Sequence, residues 1–107
     1  MAATYTFKVT LAPNQGVFDV YATNQIEGSK EQKVDFKGGT KGTLQLDDGD
    51  YYINWDFSQA NPGTKLTIEL LDKDDASVKT FNDTLDVTKT AHADSGVFTV
   101  PKPAKGG

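Results

Sequence analysis

An antiparallel all-β sandwich of eight or nine strands is the fold predicted by three observations on the sequence. Apolar and polar residues alternate with period two from one end to the other. Turn-forming clusters interrupt that alternation roughly every eight to twelve residues. No segment carries the helical period, so no crossover helix is available and the strands must pair antiparallel. The 107 residues, 36% of them hydrophobic, are enough for one core. The expected division is a single domain over residues 1–101 and a flexible tail over 102–107.

Over residues 4–12, Tyr5, Phe7, Val9 and Leu11 alternate with Thr4, Thr6, Lys8 and Thr10, giving one oily face and one polar, β-branched face. Pro13-Asn14-Gln15-Gly16 is a turn cluster, and residues 17–23 follow with Phe18, Val20 and Ala22 on one side. Residues 24–33, with Gly28 and a single large apolar residue, Ile26, read as a long loop or a poorly marked strand. Val34 and Phe36 mark a third strand ended by Gly38-Gly39, and Leu44 and Leu46 point inward from a short fourth.

Tyr51, Ile53, Trp55 and Phe57 form the strongest inward set, opposed by Tyr52, Asn54 and Asp56. Asn61-Pro62-Gly63 places Pro and Gly at the centre of a type II turn, where glycine supplies the positive φ. Leu66, Ile68 and Leu70 alternate in the next strand, and Asp72-Lys73-Asp74-Asp75 makes a turn. Val78 and Phe81 have opposite parity, which predicts a bulge or turn between them. Leu85 and Val87 mark a further strand, and residues 96–100 close the domain before Pro101.

Tyr5 to Leu11 followed by Phe18 to Ala22 echoes Tyr51 to Phe57 followed by Leu66 to Leu70. Any two hairpins packed on one core share this pattern, so it does not by itself require duplication.

Leu46-Asp47-Asp48-Gly49-Asp50-Tyr51 contains Asp-x-Gly-x-Tyr. The motif resembles the tyrosine corner of Greek-key sandwiches such as immunoglobulin-like domains, in which the tyrosine hydroxyl bonds backbone a few residues upstream. The resemblance implies a Greek-key sandwich, immunoglobulin-like or jelly-roll-like. Absence of the cysteine pair, and the long stretch of residues 52–107 beyond the corner, set the chain apart from a true immunoglobulin domain.

All eleven basic residues are lysine, and the net charge is −4. Without arginine there is no bidentate fork for phosphate or a guanine edge, and an acidic surface repels the nucleic-acid backbone. Nucleic-acid binding is therefore not expected. No stretch reaches the roughly 18 apolar residues of a membrane helix. Met1-Ala2-Ala3-Thr4-Tyr5 lacks the basic and apolar regions of a signal peptide, as expected of a cytoplasmic protein or a mature secreted fragment. With no cysteine, the redox compartment is not legible.

The expected function is non-enzymatic recognition of a carbohydrate or a protein partner. Tyr52, Asn54 and Asp56 are the candidate ligand-binding residues, since an aromatic ring beside an amide and a carboxylate suits a sugar. Adjacent Tyr21 and Asp19 would extend that face. An alternative is a structural subunit of a surface layer, fibre or virion, self-associating through its edge strands. A third is a calcium module using Asp47, Asp48 and Asp50 in one loop and Asp72, Asp74 and Asp75 in another. Aspartates of this kind also serve ordinary turns, and the EF-hand spacing is absent.

For zinc, one histidine and no cysteine leave at most a carboxylate-rich site. His92, Asp94 and Ser95 share a loop-like stretch too local to aim a hydrolytic triad. Asp56 and Glu69, placed on neighbouring strands, are the one strand-borne carboxylate pair that fits a glycosidase. Asn82-Asp83-Thr84 is a formal glycosylation acceptor. The terminal Lys105-Gly106-Gly107 matches the Gly-Gly end of ubiquitin-like modifiers, but residues 24–33 make a poor version of the helix that fold needs.

Overall fold

The computed structural model describes residues 3–12, 16–26, 28–37, 39–85 and 91–101. Eight strands form: β1 (Ala3–Ala12), β2 (Val17–Asn24), β3 (Gln32–Lys33), β4 (Lys41–Leu46), β5 (Gly49–Ser58), β6 (Lys65–Leu71), β7 (Ser77–Thr84) and β8 (His92–Val100). They make two four-stranded antiparallel sheets, β4-β1-β6-β7 and β3-β2-β5-β8, packed face to face. No helix among the described residues is long and apolar enough to cross a membrane.

Alternation dictates which face each strand buries. Tyr5, Phe7, Val9 and Leu11 from the first sheet meet Tyr51, Ile53, Trp55 and Phe57 from the second in one buried core. Tyr52, on the opposite face of β5, stays 47% exposed.

Turn chemistry agrees with the local sequence. The Thr64 N–H donates to the Asn61 carbonyl at 3.0 Å, and Gly63 takes φ 86°, as a type II turn demands. The Tyr51 hydroxyl donates to the Asp47 carbonyl at 3.0 Å, the bond that defines a tyrosine corner. On β7 the extra residue is Val78, because Leu70 pairs with Lys79 and Leu71 with Ser77.

Three assignments move. The third strand is only Gln32–Lys33, two residues earlier than the Val34 and Phe36 pattern implied; Val34 is buried just beyond it. Leu85 itself lies outside the strands: it follows β7 directly and bonds back to the β5–β6 turn, through its N–H to the Thr64 carbonyl. β8 starts at His92, so Asp94 and Ser95 lie within a strand and not on a loop. The turn at 13–15, Val87, and the 102–107 tail with its Lys105-Gly106-Gly107 end lie outside the described residues.

The internal echo proves to be topological. β1–β2 and β5–β6 are not hairpins, because each crosses from one sheet to the other. Adding four to the numbers of β1–β4, and subtracting four from those of β5–β8, carries β4-β1-β6-β7 onto β8-β5-β2-β3. The register follows the same rule. Phe7 faces Leu70 as Ile53 faces Ala22, and Val9 faces Ile68 as Trp55 faces Val20. Phe7 also faces Gly42 as Ile53 faces Gly96. The sandwich is two like-connected halves, each lending two strands to each sheet.

Candidate functional site

The outer face of the second sheet gathers the predicted residues, because the β2–β5 register sets them directly opposite β2 side chains of the same parity. Asp19 faces Asp56, Tyr21 faces Asn54, and Thr23 faces Tyr52. On the far side of β5, Asp56, Asn54 and Tyr52 face Ala93, Ser95 and Val97 of β8. Tyr21 and Asp19 are thus neighbours of the predicted site. Together with Glu31 and Ala93, the residues Tyr21, Asn54, Asp56 and Ser95 line a shallow concavity.

The charges on this face are coupled. Lys33 Nζ lies 3.2 Å from Asp19 Oδ1 and 6.0 Å from the Tyr21 ring centroid. Burial pushes the Asp56 carboxyl above its ordinary range; the Asp19 charge and a hydrogen bond with Asp19 push the same way, and Lys33 opposes them. The hydrogen bond to Asp19, and that carboxylate's charge, hold the Lys33 ammonium above its usual range.

A carboxyl raised by folding contributes stability that is full below its unfolded value of 3.8 and is lost as pH rises through the folded value. Asp56→Asn is therefore expected to raise Tm near about pH 7 and to leave it little changed below about pH 3, as thermal scans at the two pH values check.

A second hollow was not legible in the sequence. Because β3 is so short, the first half of β2 is left uncovered. Phe18 and Phe36 meet there edge to face at 5.0 Å, with Val17 beside them and Lys37 and the Asp19–Lys33 pair on the rim. Asp19 and Lys33 are common to this hollow and to the outer face. A full third strand through Val34 and Phe36, as the alternation suggested, would have closed it.

The Asp56–Glu69 pairing is overturned. Asp56 lies on β5 of the second sheet, whereas Glu69 lies on β6 of the first, between Lys8 and Thr80. Parity placed both outward, but on opposite sides of the molecule; the carboxylate beside Asp56 is Asp19. His92 and Ser95 likewise have opposite parity on β8 and face opposite sides of the sheet, so no hydrolytic triad assembles from them.

The acidic turns leave the same end of the first sheet, since Leu46 pairs with Ala3 and Leu71 with Thr6 near the start of β1. Asp47 and Asp48 line a concavity with Lys30, and Asp75 lines a different one with Lys37 and Lys41. Asp72 Oδ1 accepts the N–H groups of Asp74 and Ala76, and Asp50 Oδ1 accepts the Thr99 hydroxyl. These are turn and cross-strand duties. Among the described residues, the group with three potential metal-ligating atoms within 4.8 Å of one another is Asp83, His92 and Asp94, none of them in those turns.

No protein-family model, curated protein or solved structure matches this chain.

Proposed function

We propose that the protein is a non-enzymatic recognition module that holds a carbohydrate on the outer face of its second sheet. The observation that carries this reading is the side-by-side placement of Tyr21 with Asn54 and of Asp19 with Asp56 across β2 and β5. A tyrosine ring offers an apolar face to sugar C–H groups, while the amide and carboxylates fix hydroxyls around it. Strand-borne groups hold this spacing without induced ordering, which limits the entropic cost of binding.

We also read the connectivity as Greek-key, with an immunoglobulin-like corner. The arches β1–β2 and β5–β6 run side by side at one end of the sandwich, since Ala12 pairs with Lys65 and Val17 with Ser58, and the β4–β5 arch at the other end is tied by Tyr51. The β6–β7 hairpin beside β1 is what departs from an immunoglobulin domain.

A glycan array probed with the wild type and with Tyr21→Ala and Tyr52→Ala tests the proposal. The expected result is binding to glycans that weakens at least about tenfold in one or both variants, roughly the loss of one well-packed aromatic contact. An array without hits, or hits that neither variant weakens, overturns it.

A further inference from the structure

We infer that Asp83, His92 and Asp94 form a binding site for a divalent transition cation of the zinc type, at the open seam between edge strands β7 and β8. The site uses none of Tyr21, Tyr52, Asn54 and Asp56, although Asp94 also lines the concavity beside them. It lies between the sheets, where inward-pointing side chains of the two edge strands meet.

Spacing is the first argument. His92 Nε2 lies 3.3 Å from Asp83 Oδ2 and 3.9 Å from Asp94 Oδ2. A direct charge-assisted N–H···O bond would close to about 2.7–2.9 Å. A tetrahedral ion with ligand bonds of about 2.0–2.1 Å instead holds its donor atoms roughly 3.3 Å apart. Both separations from the imidazole nitrogen are nearer to those of a coordination shell than to those of a hydrogen-bonded ion pair, and the three donor atoms all lie within 4.8 Å of one another.

Anchoring is the second. Asp83 Oδ1 accepts the Thr84 N–H at 2.8 Å, and its Oδ2 accepts Trp55 Nε1–H at 2.9 Å. Asp94 Oδ1 accepts the Ser95 N–H at 2.8 Å, which leaves Oδ2 toward the histidine. Outer hydrogen bonds of this kind orient metal ligands and oppose their rotation. The His92 and Asp94 side chains are 33% and 57% exposed, against 11% for Asp83, so an ion enters from solvent and keeps room for water.

The third comes from the two-fold relation of the halves. The seam equivalent to β7–β8 places Phe36 where Asp83 stands, because Phe18 and Leu66 are equivalent and Leu66 pairs with Asp83. Thr40 stands where Asp94 does, since its carbonyl accepts the Val9 N–H and Asp94 faces Trp55, the counterpart of Val9. One seam is therefore built without these charged groups. The fold does not require the cluster.

The donor set selects the ion. Imidazole with two carboxylates suits zinc and its neighbours in the first transition row, whereas calcium and magnesium prefer all-oxygen shells. The test uses untagged, chelator-treated protein. Zn2+ at roughly tenfold its dissociation constant is expected to raise Tm by about 5 °C or more, and chelator reverses the rise. Co2+ is expected to quench the emission of Trp55, whose indole touches the ligand Asp83.

Both responses are expected to fall at least tenfold in apparent affinity in His92→Gln and Asp94→Asn, edge substitutions whose folding far-UV dichroism checks. If one variant fails to fold, the other together with the wild-type quenching decides. No Zn2+ shift and no Co2+ quenching in the wild type overturns the inference. So does an undiminished response in both folded variants, or Ca2+ acting as strongly as Zn2+.

Discussion

Trp55→Ala is expected to cost about 3–5 kcal/mol, a large part of the roughly 5–15 kcal/mol that holds a domain folded. Trp55 is the chain's single tryptophan and is 5% exposed on the inner face of β5. Its ring lies 5.3 Å from that of Phe81, tilted by 38°, and its N–H donates to Asp83 at 2.9 Å. Phe81 and Asp83 belong to β7 of the opposite sheet, so this one side chain ties the sheets by packing and by hydrogen bonding together. Alanine opens a cavity and strips a donor from a largely buried carboxylate, and the two losses act in the same direction. Urea unfolding followed by far-UV dichroism measures the total. Trp55→Phe separates the parts: it keeps most of the apolar contact and loses the charge-assisted bond, for an expected cost of about 1.5–3 kcal/mol. Native emission should be blue-shifted and resist iodide, because the indole lies between the sheets. A variant as stable as wild type would mean that Trp55 does not bridge them.

Parity was the legible part of the sequence, and sheet membership was not. The odd positions from Tyr51 to Phe57 and from Tyr5 to Leu11 are read correctly as inward, because a half-buried strand repeats every two residues whatever it pairs with. The same period cannot say whether consecutive strands pair or arch across the core. Pairing Asp56 with Glu69, and reading β1–β2 and β5–β6 as hairpins, both fail on that point. Local chemistry was legible where one residue type has one job: Gly63 in the type II turn, and Tyr51 bonding Asp47 at the corner.

The candidate face was half legible. Tyr52, Asn54 and Asp56 were placed outward by alternation, but their neighbours Tyr21 and Asp19 depend on a pairing between residues more than thirty positions apart. The hollow beside Phe18 and the seam at His92 were missed for one shared reason. Each depends on where an edge strand begins or stops, and short apolar patterns mark strand interiors better than ends.

Gly96→Ala is expected to destabilise by about 1–3 kcal/mol, the usual cost of overpacking, although the exchange removes a flexible glycine from a strand. Gly96 sits opposite Ile53 with the Phe81 ring against its backbone. An added Cβ would meet Cε1 and, at 2.6 Å, Cδ1 of that ring. The ring cannot retreat freely, because Trp55 stacks near it. Combining Gly96→Ala with Phe81→Leu should therefore cost less than the sum of the single changes, with a coupling of roughly 0.5–3 kcal/mol. Strict additivity in urea melts would show that ring and glycine do not touch. The two-fold relation supplies an internal comparison. Gly42, the counterpart of Gly96, would bring a Cβ within 2.6 Å of both Val34 Cγ1 and the Asp35 carbonyl oxygen. A side chain can be trimmed, but a carbonyl held in the backbone cannot. Gly42→Ala should thus be at least as costly as Gly96→Ala and, unlike it, only partly relieved by truncating the facing side chain in Val34→Ala.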